Sequence, residues 1–407
     1  MMSNKTSIPS RTTVTLDAVN GDLEIGRHTV VNARGTPATL KVSGTVRCEG
    51  NNTFECTLMA ANLEAEGSIV IHGNLQVEDA VEVEDGSLEV YGEMTVKDAD
   101  VDDTLYISKN LTVGEADVGG SLKAGGNIKA EKIDVGGTLE AKGEVAAEEI
   151  DVGGSLSTES KVDIRTLDVG GTVKVNGGKI NHIDVGGTFE SKGPLEFENI
   201  DVGGAVHLRN ESKGNDIDVG GSLKVEGDLE FSNIDVGGTV EITGQAQGRS
   251  LDVGGRVDID GSLMLSGTLD VGGKVDVRGE IVAKDIDVGG SLRAQKVTAE
   301  ERVEVGGSIA TGDGVAARLI EIGRRGEAHG LLRAEEVIVG RDAHVESVYG
   351  KRIVLESGTH VENVYGEDIT IESHCQISGE VQYTHELRLE ERASLAKEPR
   401  KVDRLPI

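Results

Sequence analysis

The residues best placed to do chemistry in this chain are its carboxylates. The tetrapeptide Asp-Val-Gly-Gly begins at Asp117, Asp134, Asp151, Asp168, Asp184, Asp201, Asp218, Asp235, Asp252, Asp270 and Asp287, at intervals of 16 to 18 residues. Glu304 opens a Glu-Val-Gly-Gly copy, and Glu321 follows 17 residues later. Carboxylates on a fixed period can hold cations, dock a basic partner or stand solvated. General acid–base catalysis wants two carboxyl groups in contrasting environments, and a column of equivalents does not supply them. GxSxG, HExxH and P-loop motifs are absent from the sequence. His344 and His360 hold matching places in adjacent repeats, with Glu346 and Glu362 nearby. Two histidines and carboxylates can ligate a metal, but no third ligand keeps the register, so a surface column that could stack is expected. Cys48, Cys56 and Cys375 sit two residues from Val46, Phe54 and Ile377. That is the spacing of inward-facing strand residues, and they are read as small buried hydrophobes. Neither a catalytic residue, a cofactor nor a metal site is expected, and the chain is read as a non-enzyme.

The elements that carry these residues follow from the repeat. Within Ile217–Asn233, apolar residues fall at Ile217 and Val219, Leu223 and Val225, and Leu229 and Phe231. Each pair has the period of a strand, and the residue between its members is polar. Three short strands joined by three corners make one coil. Stacked coils pair like strands and satisfy the backbone, while a single coil of ~17 residues cannot offset its ordering entropy alone. The expected fold is all-β: a single-stranded, three-sided parallel β-helix of about 22 coils, on the order of 100 Å long. The uneven period favours the right-handed form over the strict 18-residue left-handed one. The Gly-Gly pair is expected at a corner, where a residue without Cβ can take positive φ. Expected divisions are a disordered N-terminus (1–11), irregular N-terminal coils (12–99), regular DVGG coils (100–316), divergent C-terminal coils (317–395) and a basic tail (396–407). Upstream, Asp100 keeps the register, and Glu84-Asp85-Gly86-Ser87-Leu88 resembles the motif less closely. Ser121, Thr138, Ser155, Thr172, Thr188, Ser222, Thr239, Ser291 and Ser308 form a hydroxyl column after the glycines, interrupted by Ala205, Arg256 and Lys274; an ice-binding face would want uninterrupted Thr-x-Thr rows.

Composition narrows the partners. The chain has 407 residues, 72 acidic against 41 basic, and a net charge of −31. Binding of nucleic acid through the body of the protein is excluded by that sign. Aromatics are 2 % and Trp is absent, so aliphatics must fill the core. Met1–Ser10 is polar, with no secretory or membrane segment, and the cytoplasm is the expected compartment. Thirteen carboxylates from Asp117 to Glu321, spaced ~4.8 Å apart, would repel by ~0.9 kcal/mol per neighbouring pair in water, on the order of 10 kcal/mol in all. Molar salt removes most of that, so a high-salt setting is expected, ahead of specific cation binding or a docking stripe. Residues 301–407 hold 14 basic and 20 acidic residues, and Lys397–Arg404 is net basic. Pro399 and Pro406 argue against strands there. That segment is read as a solvated tail, or as an arm touching a neighbouring copy or a membrane. The coils at either end expose unpaired edges and core. The candidate interface residues are Val14, Leu16, Leu23 and Ile25 at one end and Leu387, Leu389 and Leu395 at the other.

The short Val-Gly-Gly-Ser-Leu units at Val118–Gly125, Val135–Gly143, Val219–Gly227 and Val288–Ala294 resemble the bactofilins, polymer-forming cytoskeletal proteins. The resemblance spans about Gly44 to Val381, and the acid excess is similar to a halophilic archaeal branch, the halofilins. It implies a right-handed β-helix that polymerises end to end, without nucleotide, into non-polar filaments that support cell shape or localise other proteins. It implies self as the main partner, with other cytoskeletal or membrane-associated proteins beside it, and leaves direct membrane binding open. The chain departs from the family in its many coils, its short tails and the lack of a terminal-coil Phe, the last Phe being Phe231. A non-polymerising spacer docking partners along its acidic face is the rival reading. A surface adhesin would need an export signal.

Overall fold

The computed structural model describes residues 5–406; Met1–Asn4 and Ile407 lie outside it. The chain is all-β, a parallel β-solenoid of about 23 turns with roughly 17-residue spacing. It divides into two compact units, Met1–Gly203 and Gly204–Ile407.

The pattern read from Ile217–Asn233 is realised closely. Asp216–Val219, Ser222–Glu226 and Leu229–Glu230 are three strands. They pair in parallel with Asn233–Val236, Thr239–Ile242 and Ala246–Gly248 of the next coil. The inward residues Ile217, Val219, Leu223, Val225, Leu229 and Phe231 are all buried. Elsewhere two strands of a coil run together through the corner between them. Leu111–Val118 is one such strand; Leu111 and Val113 are buried, then Ala116 and Val118. The alternation slips by one residue at Gly114–Glu115, which turns the chain onto the next face without ending the ladder. In the second unit the merging goes further, and His344–Leu355 and His360–Ile371 are continuous 12-residue strands.

Aliphatic columns fill both units, and Phe54, Phe189, Phe197 and Phe231 are all interior. Corners are fastened by side chains. The Oδ1 atoms of Asn74, Asn110, Asn127, Asp228 and Asn363 accept the backbone N–H of Glu93, Asn127, Glu144, Gln245 and Glu380 one coil on. Asn52 occupies an inward position that Ile69 takes in the next coil. It is fully buried and satisfied, donating to Gly26 O at 2.8 Å and accepting from Gly50 N at 3.2 Å.

Three expectations need correction. The DVGG glycines are not among the residues with positive φ. Their role is close approach: a Cβ on Gly136 or Gly153 would lie under 3.0 Å from the carbonyl oxygen of the glycine one coil back. The N-terminus, expected to be disordered over 1–11, is ordered in part. Lys5–Ile8 is a strand, registered on Asp22–Ile25, because Thr6 and Ile8 alternate inward over Leu23 and Ile25. The 396–407 segment also contains a strand. Arg400–Lys401 pairs with Gln382–Tyr383, and Pro399 stands just before it, where no ladder N–H is required.

Candidate functional site

The first candidate is the carboxylate column, taken unit by unit. In the first unit Asp100, Asp117, Asp134, Asp151, Asp168, Asp184 and Asp201 are direct lateral neighbours on successive parallel strands. Each lies between two inward residues, so it faces outward. The register continues to Glu82 and Glu64 rather than to Glu84. The Val81-Glu82-Val83 triplet was the available signal, since it repeats the apolar–acid–apolar pattern without the glycines. Arg47 then interrupts the column. It pairs with Glu64 at 2.8 Å and reaches Asp22 at 3.8 Å. In the second unit Asp218, Asp235, Asp252, Asp270, Asp287, Glu304 and Glu321 stack in the same manner. Beyond Glu321 the position is taken by Ile338, Val354 and Thr370, and finally by Arg388.

The electrostatics follow from that stacking. The carboxyl of Asp117 titrates above the usual range because of partial desolvation, then Asp134 and Asp100, with Lys132 opposing. Asp168 is raised by desolvation and by Asp184 and Asp151, and Asp252 by desolvation and by Asp270 and Asp235. Relief is partial: Lys132 bonds Glu149 at 3.0 Å beside the column, and Arg302 bonds Glu304 at 2.8 Å. Among the described residues no group of three or more His, Cys, Asp or Glu is arranged to hold a metal ion. The histidine column stacks: the rings of His344 and His360 lie 4.5 Å apart and nearly parallel. Glu346 turns to His329 Nδ1 at 3.1 Å and to Gly330 N at 2.8 Å. All three cysteines are free and buried, and burial pushes the Cys48 thiol up to about 12. The hydroxyl column is in register from Ser121 to Thr188, with a 3.3 Å contact between Thr172 and Thr188.

The second candidate is the pair of terminal coils. Leu23 and Ile25 are 0 % and 1 % exposed, so they are not end residues; Lys5–Ile8 covers one side and Thr45–Cys48 the other. The first coil is Lys5–Ile8, Thr13–Thr15 and Ala18–Val19. Among the described residues each of these strands pairs along one side only. Ile8, Val14 and Leu16 point inward there and are half-buried. Ile8 is absent from the expected end residues because 1–11 was expected to be disordered, although the Thr6/Ile8 alternation is visible in the sequence. In the last coil Glu386–Leu389 pairs with Asp368–Ile371, and Ser394–Leu395 with Gln376–Ile377. Leu387, Leu389 and Leu395 lie over the buried Ile369, Ile371 and Ile377. Leu387 and Leu395 are half-buried and Leu389 is 48 % exposed.

These features define the class: a parallel β-solenoid with outward carboxylate columns and apolar terminal coils. Comparison with family models, with curated proteins and with solved structures returns no match. Among the described residues no helix is long and apolar enough to cross a membrane.

Proposed function

We propose that this chain is a bactofilin-like cytoskeletal scaffold that self-associates end to end, without nucleotide. It would support cell shape or localise other proteins in the cytoplasm, and it would carry no catalytic activity. The observation that carries this reading is the terminal coil at Glu386–Leu395, whose strands pair along one side only, with Leu389 half-exposed over the buried Ile371. Open strand edges above exposed core template further strands. Charge distribution supports the same direction of contact. One outward column of each unit is acidic over most of its length, so approach of two copies on that face is repulsive at low salt. The terminal coils instead mix signs around leucines. Other cytoskeletal or membrane-associated proteins would then bind a filament already formed.

The rival, a non-polymerising spacer that docks partners on its acidic face, is favoured by the in-register carboxylates alone. Negative-stain electron microscopy in molar KCl and at low salt separates the two. Filaments many chains long in molar KCl support the scaffold. Isolated particles at every salt and protein concentration would reject it.

A further inference from the structure

We propose that the exposed aromatic patch of His72, Tyr91 and Tyr106 is a docking site for a basic segment of a partner protein, and that it takes arginine side chains on alternate residues of an extended chain. Such a site goes beyond the scaffold reading and serves a single chain as well as a filament.

The patch is built on successive coils of the first unit. Val90 pairs with Ile71, so the residues that follow them, Tyr91 and His72, stand one above the other at a corner. Their rings stack at 5.1 Å, 15° from parallel. Tyr106 lies in the strand Thr104–Ile107, outward between the buried Leu105 and Ile107. Its ring meets that of Tyr91 edge-on at 5.7 Å. All four phenylalanines are interior, whereas Tyr91 is 45 % exposed. Two carboxylates hold the rings in place. Glu89 Oε2 accepts the Tyr91 hydroxyl at 2.9 Å, and Glu55 Oε1 lies 3.8 Å from His72 Nε2. Glu89 is also the lateral neighbour of Tyr106 on the adjoining strand.

The chemistry of the patch selects a cation. The face of a tyrosine ring attracts positive charge, and the second unit of this chain uses that attraction internally. The Arg333 guanidinium lies 5.1 Å from the Tyr349 ring centre, and the Lys401 ammonium 6.0 Å from that of Tyr383. Among the described residues no cation covers Tyr91 or Tyr106. Lys123, the lateral neighbour of Tyr106, turns instead to Glu140 at 3.3 Å. Among the described residues Glu55 and Glu89 have no Lys or Arg partner either. Two rings and two carboxylates are thus open to a cation from outside, in a chain whose net charge of −31 favours a basic partner.

Arginine fits this arrangement better than lysine. Its planar guanidinium stacks on a ring and still donates sideways to a carboxylate, whereas an ammonium is a point charge. In an extended chain alternate side chains project to one side about 6.6–6.8 Å apart, close to the 5.7 Å between the Tyr91 and Tyr106 ring centres. An Arg-x-Arg segment therefore seats one guanidinium on each ring, with Glu89 beside both. The Asp-Val-Gly-Gly carboxylates offer no ring, so their hold on a basic segment is lost in molar salt.

The test uses the dye-labelled peptide Gly-Ser-Arg-Ser-Arg-Ser-Gly, read by fluorescence anisotropy against the full chain at low salt and in molar KCl. Wild type should bind it in both, and should bind the matching Lys peptide more weakly. Tyr91→Leu keeps apolar bulk at an exposed position but removes the ring, and should weaken binding in molar KCl about threefold to tenfold. Asp168→Asn, on the carboxylate column, should leave it unchanged. Should Tyr91→Leu melt early, Glu89→Gln reads the same site through its carboxylate, with an expected loss of about twofold to fivefold. Equal binding by wild type and these variants would overturn the proposal. So would binding confined to low salt and reduced by Asp168→Asn, which is adsorption to an acidic surface. A Lys peptide held as tightly would overturn the choice of arginine. No peptide binding at either salt would overturn the site as a basic-segment dock, and retention of the chain on cellulose would then reassign it to a neutral glycan.

Discussion

The DVGG coils and the terminal coils solve the same problem with different chemistry. Both must turn the chain at fixed corners and stack it. The DVGG coils do so by removing side chains: paired glycines let successive corners approach until a Cβ would strike the carbonyl one coil away. Such a corner is uniform, and it repeats a carboxylate column that is hostile to lateral contact. The terminal coils keep side chains at their corners and accept positive φ at Arg11, His28, Asp342 and Arg392. They interrupt the acidic column with Arg47 in one unit and with Ile338, Val354 and Thr370 in the other. The contrast teaches that repetition serves stacking within a chain, and departure from it marks where another surface can approach.

The largest effect is expected at the last coil. Leu389 and Leu395, both changed to Lys, remove two apolar side chains worth about 3–6 kcal/mol when buried. Static light scattering should show the concentration needed for assembly rising by at least about a hundredfold, with thermal stability nearly unchanged. Next in size is the glycine corner. Gly153→Val forces a side chain against the Gly136 carbonyl, and urea unfolding should report a loss of about 3 kcal/mol. Smaller is the carboxylate column: Asp168→Asn relieves repulsion from Asp151 and Asp184 and should stabilise by up to about 1 kcal/mol at low salt. In molar KCl that gain should vanish.

Stability at low salt should also depend on pH through the carboxylate column. Asp117, Asp168 and Asp252 titrate above the ordinary range when folded. The folded chain therefore binds their protons more readily than the unfolded chain does. Their contribution is fully present below the unfolded pKa and is lost as pH rises through the folded one. Glu335, Glu346 and Glu380 are lowered, Glu335 by Lys351, Glu346 by the Gly330 amide, Glu380 by Gln382, and work the opposite way. At low salt, acidification from neutral pH towards the carboxylate range should therefore raise the melting temperature of wild type relative to a triple Asn variant at the three aspartates. The smallest effect belongs to the terminal corner: His28→Gly removes a left-handed side-chain residue at an entropic cost of similar size, and should leave stability within about 1 kcal/mol.

Much of the coil was legible because its signals are local. The Ile217/Val219, Leu223/Val225 and Leu229/Phe231 pairs have strand period, and the register of Asp117 to Glu321 follows from counting. What escaped depends on neighbours in the next coil. The closeness of Gly136 to Gly119 is invisible in one repeat, so positive φ looked like the reason for the glycines. Glu82 was passed over for Glu84 because the glycines that mark the register are missing there. Leu23 and Ile25 looked terminal because Thr6 and Ile8 are only two inward residues, too few to establish a period.

Amide hydrogen exchange, read by mass spectrometry on dilute and assembled protein in molar KCl, shows directly which strands become covered on assembly. Protection should be gained on assembly in Lys5–Ile8, Thr13–Thr15 and Glu386–Leu395, with no change across Asp117–Asp201 or Asp218–Glu321. Protection gained along the carboxylate strands, with the terminal coils unaltered, would contradict end-to-end assembly.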